Sequence, residues 1–545
     1  MEKIIPAIVT LAFVSVVCAP EAANAQVVKV GSFVKSTAAA PVSQAVPHGL
    51  GITPKAIIFW TSGTAATGIS TADHRFSLGF TDGTTSKSAS SAAQHNQATT
   101  STRKRMASVP LTIAQYGVAV PWAEAAFTSW DATNVTLNWT TNSATASVIH
   151  FIAIGGSGVS AKVLQWSTIT TTGSQAVTGV GFQPSLVFHA QTNGNNILPF
   201  QVGNLSLGLG VMDAGGHQWA FSLSSPDGAK PPNTARGQRT DAAIHAVDGS
   251  AMGPDDQATF TSMDADGFTL NWTRKVFVTA DVVVSLALTG LNLRAGSFNK
   301  NATAGTNITQ SVTGVGFRPA LVLLASYQNV TMPSTTGVAN ARVGLGAADG
   351  TTQGACAIAD ANGTAKSVVY SREETANVFV KIDNATAPPP ADAIATLSTF
   401  DADGFTLNWG TNDAVATEML YLALGSLGAT SVTLASFTAR LLPDGKTRLE
   451  WRTGYEVDNA GFRLYREQNG KRVRITSSIV SGSALMGARR GMSAGGRTYT
   501  WSEAIGAPPD AGLVQYWLED VDIKGKSTWH GPIVPVATTT PREPR

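Results

Sequence analysis

Disulfides, charge runs and helical stripes are all missing from this chain. Only two cysteines occur in 545 residues. Cys18 falls in an N-terminal apolar stretch, which leaves Cys356 alone. A lone thiol makes no internal bridge, so stability has to come from buried cores. Cys356 sits in Ala355-Cys356-Ala357-Ile358, where a small core residue is the ordinary reading against a nucleophile or an intermolecular bridge. Charged residues make up 14% of the chain. From residue 430 onward there are 16 Lys and Arg against 11 Asp and Glu, and residues 26–429 carry 21 against 23. Neither balance describes a nucleic-acid surface. No segment keeps apolar residues at helical spacing, which argues against a helical protein. The β-branched and aromatic content is too high for a disordered one.

The one long apolar stretch is Ile4–Ala19, preceded by Lys3 and followed by Ala23-Asn24-Ala25, a small-x-small cleavage site before Gln26. Residues 1–25 therefore read as an export signal, with an uncleaved anchor as the alternative. Ser-Val-Val-Cys18 lacks the small residue expected before a lipidated cysteine. The polar, Pro-containing tail 538–545 offers no C-terminal anchor. The expectation is a bacterial protein, secreted or held at the cell surface, with no membrane insertion after cleavage.

What is present is a repeat. Gly179-Val180-Gly181-Phe182-Gln183-Pro184 returns as Gly314-Val315-Gly316-Phe317-Arg318-Pro319, and more loosely as Gly49-Leu50-Gly51-Ile52-Thr53-Pro54. Asp264 to Trp272 reads Asp-Ala-Asp-Gly-Phe-Thr-Leu-Asn-Trp, as does Asp401 to Trp409, with Asp131 to Trp139 a degenerate copy. The prolines step by 130 and 135 residues and the tryptophans by 133 and 137. Two markers with nearly the same step describe a tandem array of one fold. Phe268, Leu270 and Trp272 alternate with polar residues, a period of two that puts the tryptophan in a core. The same holds for Trp139 and Trp409. Apolar runs at Val148–Ile154, Val282–Leu288 and Met419–Leu424 suit strands buried on both faces. Asp-containing turns follow the Leu-Gly strands at Asp82, Asp213 and Asp349. The stretches 84–105, 216–239 and 351–372 read as polar, variable loops. The predicted fold is all-β. It comprises antiparallel β-sandwich repeats over 26–157, 162–290 and 293–426, then a further sandwich over 430–537.

Chemistry is sparse. There is no nucleophile elbow, no His or Asn signature near the thiol, and no phosphate loop. Histidines 48, 74, 95, 150, 189, 217, 245 and 530 are scattered singly, so no metal site is expected. The Asp-Ala-Asp-Gly strings resemble the start of a calcium loop, but a strand follows at once, and a turn is the simpler reading. No cofactor is expected. Arg105, Arg239 and Arg372 each follow a variable stretch. Such an arginine either faces a ligand or pairs with a carboxylate at a strand start, and the second is commoner. These three, with His74, Trp219 and Tyr327, are the candidate ligand-binding residues.

Trp451, the run Gly461-Phe462-Arg463-Leu464-Tyr465, Tyr499-Thr500-Trp501 and Tyr516-Trp517-Leu518-Glu519-Asp520 mark the last unit. It resembles the fibronectin type III-like modules of secreted bacterial proteins, which implies a spacer or adhesion role, with Trp451 and Tyr516 as core aromatics. The closing Asp-Gly-Phe-Thr-Leu-x-Trp strand followed by Leu-Ala-Leu-Gly (Leu422–Gly425) is similar to H-type lectin domains and phage tail-fibre receptor-binding domains. That likeness implies a sandwich and points toward glycans. The expected function is a non-catalytic adhesion or surface-matrix protein whose loops bind glycans or cell-surface polymers. The alternatives are a subunit that self-associates into an extracellular fibre or layer, and a polysaccharide-degrading enzyme with accessory modules.

Overall fold

The computed structural model describes residues 28–156, 158–193, 202–247, 253–276, 279–328, 337–384, 386–426, 432–456, 459–482, 494–495, 497–504, 514–522 and 527–537. The expected leader and the tail 538–545 lie outside them. Among the described residues the regular elements are strands, and no helix is long and apolar enough to cross a membrane. The protein is all-β, built of many antiparallel sheets. Ala25–Leu427 form one compact unit, and Gly428–Arg545 belong to a second.

The first unit holds three pairs of sheets. In the first pair the large sheet runs Val28–Val34, Val148–Gly155, Pro54–Thr61, His74–Thr81, Ser86–Ala93, Thr102–Ala107. Its small sheet runs Val42–Pro47, Asn134–Thr141, Ala123–Trp130, Leu111–Ile113. The second large sheet runs Ser160–Ser167, Val282–Thr289, Leu186–Gln191, Leu205–Asp213, Gln218–Ser225, Ala235–Arg239. Its partner is Gly173–Thr178, Gly267–Arg274, Pro254–Asp264, Ile244–Val247. The third large sheet runs Leu291–Asn299, Glu418–Ser426, Leu321–Ser326, Ala341–Ala348, Gln353–Asp360, Val369–Glu374. It faces Ile308–Thr313, Gly404–Thr411, Ala391–Asp401, Phe379–Ile382.

Within a pair the two sheets enclose one core. Ile57, Phe59, Ile149 and Phe151 of the first large sheet pack against Val135, Leu137 and Trp139 of the small sheet. The three strand tryptophans, Trp139, Trp272 and Trp409, are at most 1% exposed. A recurring glutamine satisfies each indole. Trp139 Nε1 donates to Gln44 Oε1 at 2.9 Å, Trp272 to Gln175 at 2.8 Å, and Trp409 to Gln310 at 3.0 Å. Each glutamine's amide in turn donates to a carbonyl of the neighbouring large sheet, that of Val34, Ser167 or Asn299. A buried N–H is thereby paired, and the two sheets are tied at the same point. Close approach of the sheets is set by glycine. A Cβ at Gly79 or Gly210 would lie 1.9 Å from the carbonyl oxygen of Pro110 or Ala243.

The two sequence markers prove to be one device. Asp266 accepts from the backbone N–H groups of Gly179 (3.2 Å) and Gly181 (2.5 Å). Asp403 accepts from Gly314 (3.0 Å) and Gly316 (2.5 Å). The second aspartate of each Asp-Ala-Asp-Gly string therefore holds the Gly-x-Gly turn 85 to 89 positions away. Where the first copy lacks that aspartate, buried His48 takes over, with Nε2 3.0 Å from the Asp131 carbonyl and Nδ1 accepting from Leu50 N–H.

The large sheets use both faces. Ala56, Ile58 and Trp60 point away from their sandwich into a single cluster that also contains Phe188, Trp219, Leu323 and Ile358. All three sheet pairs contribute to this shared core, so they are not separate beads on a string. The stretches expected as variable loops are largely strands, Ser86–Ala93, Gln218–Ser225 and Gln353–Asp360 with their neighbours. In Ser86–Ala93 and Gln353–Asp360 small residues are enclosed on both faces and show no apolar–polar alternation, whereas Gln218–Ser225 does alternate through Trp219, Phe221 and Leu223.

In the second unit one sheet is built on Val432–Leu441, Lys446–Glu456 and Thr498–Ala504. The other is Lys471–Arg474, Asn459–Gln468, Val514–Asp522, Ser527–Ile533. Trp451 and Tyr516, one from each sheet, are fully buried in a common core with Phe462, Leu464 and Tyr499.

Candidate functional site

The turn aspartate that recurs in the sequence has a role its position in the chain does not reveal. Asp82 Oδ2 accepts from Val163 N–H at 2.8 Å, crossing from the first sheet pair to the second. Asp213 Oδ2 accepts from Ala295 N–H at 2.9 Å, crossing from the second to the third. Asp349 Oδ2 accepts from Val30 N–H at 2.8 Å, crossing from the third back to the first. The other oxygen of each stays in its own turn, taking N–H groups of Thr84 and Thr85, of Gly215 and His217, or of Thr351 and Thr352. Three equivalent carboxylates thus staple three seams in a cycle. Burial works against the Asp349 charge, but its hydrogen bonds from Thr351, Val30 and Thr352 prevail and hold its carboxyl below the ordinary range.

The sheet edges close the same cycle. Val202 bridges to Lys104 on the first large sheet. Val338–Ala339 pairs with Ala235–Arg239 on the second, and Ser70–Ala72 pairs with Val369–Glu374 on the third. One outer strand of each large sheet is therefore met by the next sheet pair, which blunts that edge as a template for another chain. At the seam between the third and first pairs Glu373 is fully buried. It accepts from Ser62 N–H (2.6 Å) and Ser62 Oγ (2.8 Å), and its second oxygen lies 2.8 Å from His150 Nε2. Where the three pairs meet, Ala93, Ser225 and Asp360 line a cavity with room for roughly one water. His74 Nε2 reaches Asp360 Oδ1 there at 3.0 Å.

The six candidate residues do not converge on one surface. His74 is enclosed against Asp360. Trp219 is 0% exposed, with its indole N–H on the Tyr421 carbonyl at 2.9 Å across a seam. Tyr327 is equally buried, with the Arg236 guanidinium 5.6 Å from its ring centre. Arg105 pairs with Glu124 at 2.8 Å and Arg372 with Glu374 at 2.8 Å, both buried. Arg239 makes a two-pronged contact with exposed Asp241. The arginines are also not one recurring position. Arg105 lies opposite Ser90 and Arg372 opposite Ala357, but the matching place opposite Ser222 is Gly237, and Arg239 sits two residues further along. Cys356 is fully buried, and burial pushes its thiol up. Among the described residues no group of three or more His, Cys, Asp or Glu side chains is arranged to hold a metal ion.

A surface feature that sequence reasoning missed lies on the connection 114–122. It joins Leu111–Ile113 to Ala123–Trp130 and leaves Val118 45% and Val120 64% exposed. Tyr116 and Trp122 flank the Arg75 guanidinium, which lies 4.5 and 5.0 Å from their ring centres. Arg75 donates to Gln115 Oε1 at 2.6 Å and to the Tyr116 hydroxyl at 2.7 Å. Tyr116 donates onward to Asp73 Oδ2 at 2.6 Å. Burial first, then that hydrogen bond, raises the phenol above its usual range. Beside it Lys35 lies 4.9 Å from the Trp122 ring centre, with its ammonium lowered by burial to about 8. The string Tyr116-Gly117-Val118-Ala119-Val120-Pro121-Trp122 was the available signal. The matching connection of the third pair is different in kind, running Asp383 to Pro390 with three prolines in a row.

Comparison with known protein families finds no matching family model, and comparison with curated proteins finds no match.

Proposed function

We propose that this is a secreted, non-catalytic binding protein. Three copies of one β-sandwich module close into a ring, and a fibronectin type III-like module follows. The ring presents dissimilar end loops to glycans or cell-surface polymers. The observation that carries the reading is the cyclic set of aspartate staples from Asp82, Asp213 and Asp349. A closed ring with a shared core holds its loops at fixed separations. Binding through several loops then needs little further ordering, and weak contacts add through effective concentration. The blunted edge of each large sheet favours this over a fibre grown by edge pairing. The first loop to test is 114–122, where a half-exposed tryptophan and tyrosine surround a held guanidinium.

The test is attachment of the full chain to a glycan array and to intact cells, beside electron microscopy of the same sample. Saturable attachment is expected, weakened roughly tenfold or more by Val120→Asp or Trp122→Ala, about 1.4 kcal/mol or above. Filaments forming without any ligand, and no attachment, would replace the reading with the structural one.

A further inference from the structure

The outer face of one sheet in the second unit is not built like a spacer. Along Asn459–Gln468 and Val514–Asp522 the residues Phe462, Leu464, Tyr516 and Leu518 point into the core. Their alternates Arg463, Tyr465, Trp517 and Glu519 point outward. Tyr465 lies opposite both Trp517 and Arg474, Glu467 lies opposite Arg472, and Glu519 lies opposite Trp529. Three aromatic rings and three guanidinium groups therefore share one face. The Tyr465 and Trp529 rings are 4.7 Å apart, and the Arg472 guanidinium lies 3.9 Å from the Trp517 ring centre and 5.1 Å from that of Trp529. Trp529 is 43% exposed. Glu519 accepts from the Tyr465 hydroxyl at 2.7 Å, and Glu467 accepts from Arg472 at 2.8 Å, which fixes the ring and the fork in place.

Charge gives this face a sign. On this face Arg463, Arg472 and Arg474 stand against Glu467 and Glu519, an excess of one positive charge. A large ring left in water beside held guanidinium groups suits a ligand with a flat apolar surface and negative charge. A pyranose ring bearing a carboxylate has both: its C–H face lies on the indole, and its carboxylate meets the guanidinium fork. A single-stranded nucleic acid fits less well. Successive bases need parallel platforms, whereas Tyr465 and Trp529 are inclined at 48° and Arg472 fills the space beside Trp517.

We propose that this face binds acidic polysaccharide, with Trp529 as the stacking platform and Arg472 and Arg474 as carboxylate partners. The face belongs to a different unit from the loop 114–122, so the two assignments fail separately. The experiment measures binding of the full chain to alginate as the polyuronate, with dextran as the neutral polymer and oligo(dT) as the nucleic acid. Saturable, salt-weakened binding to alginate is expected, with none to dextran. Trp529→Ala and Arg472→Gln each weaken it roughly tenfold or more with an unchanged thermal transition, and Val120→Asp leaves it intact. Arg474→Glu, on an exposed side chain, weakens it in the same way and guards against a folding artefact. Equal binding to dextran, preference for oligo(dT), or undiminished alginate binding by the Trp529 and Arg474 variants would overturn the assignment.

Discussion

Replacing Asp213 with alanine removes the acceptor that the second sheet pair extends to the third. The carboxylate is 2% exposed and takes three backbone N–H groups, those of Gly215, His217 and Ala295. The two turn donors can be rehydrated, and their loss costs about 1 kcal/mol. The Ala295 N–H lies buried at the seam, and leaving it without an acceptor costs a further ~1–3 kcal/mol. A total of about 2–4 kcal/mol is expected. Urea unfolding of the full chain followed by tryptophan fluorescence reads this directly. Because one core joins all three sheet pairs, the whole Ala25–Leu427 transition should move to lower urea as a single step. Asp349→Ala should act alike, although its partner Val30 lies 319 positions away. A first sheet pair that unfolds at its normal midpoint in the Asp213 variant, or an Asp349 variant within ~0.5 kcal/mol of the parent, would refute the cycle of staples.

Two pH predictions follow from buried groups. Glu418 is fully enclosed, and burial pushes its carboxyl up to about 7. A folded value above the unfolded one means that stability falls as pH rises from about 4.5 to 7, by roughly 3 kcal/mol for the full shift and on the order of 2 after screening. Glu418→Gln should therefore raise the unfolding free energy at pH 8 and change little at pH 4.5; equal effects at both would contradict it. His189 is the opposite case, held neutral by burial with its imidazole lowered to about 3. Its contribution is full above pH 6.5 and is lost as pH falls toward 3, so His189→Gln should flatten the acid limb of the stability profile.

The sandwiches were legible because large apolar residues alternate with polar ones. Phe268, Leu270 and Trp272 announced a core strand, and all three are buried. Trp451 and Tyr516 were expected in a core from the resemblance to fibronectin type III-like modules, and both are buried. Ser86–Ala93 and Gln353–Asp360 were not. A strand of small residues enclosed on both faces has no period to read, and it resembles a loop. The ring was hidden for a different reason. Its contacts join residues about 300 apart, as at Thr71 and Ser371, and nothing local in either segment names its partner. The turn aspartates were visible as a recurrence, but a turn explains only one of their two oxygens. The nominated arginines, His74 and Trp219 were picked as loop residues, and most became seam or core residues once those loops proved to be strands.

The closed ring is tested most directly by cysteine trapping at the seam between the third and first sheet pairs. Thr71 and Ser371 are opposite each other on adjacent antiparallel strands, where Cα atoms lie about 4.5–5.5 Å apart, within disulfide reach. Thr71→Cys with Ser371→Cys should oxidise within one monomeric chain, giving a faster band on a non-reducing gel that reduction abolishes. Thiols left free at the two introduced positions after oxidation, beyond the buried Cys356 thiol, or bridges only between chains, would contradict the ring.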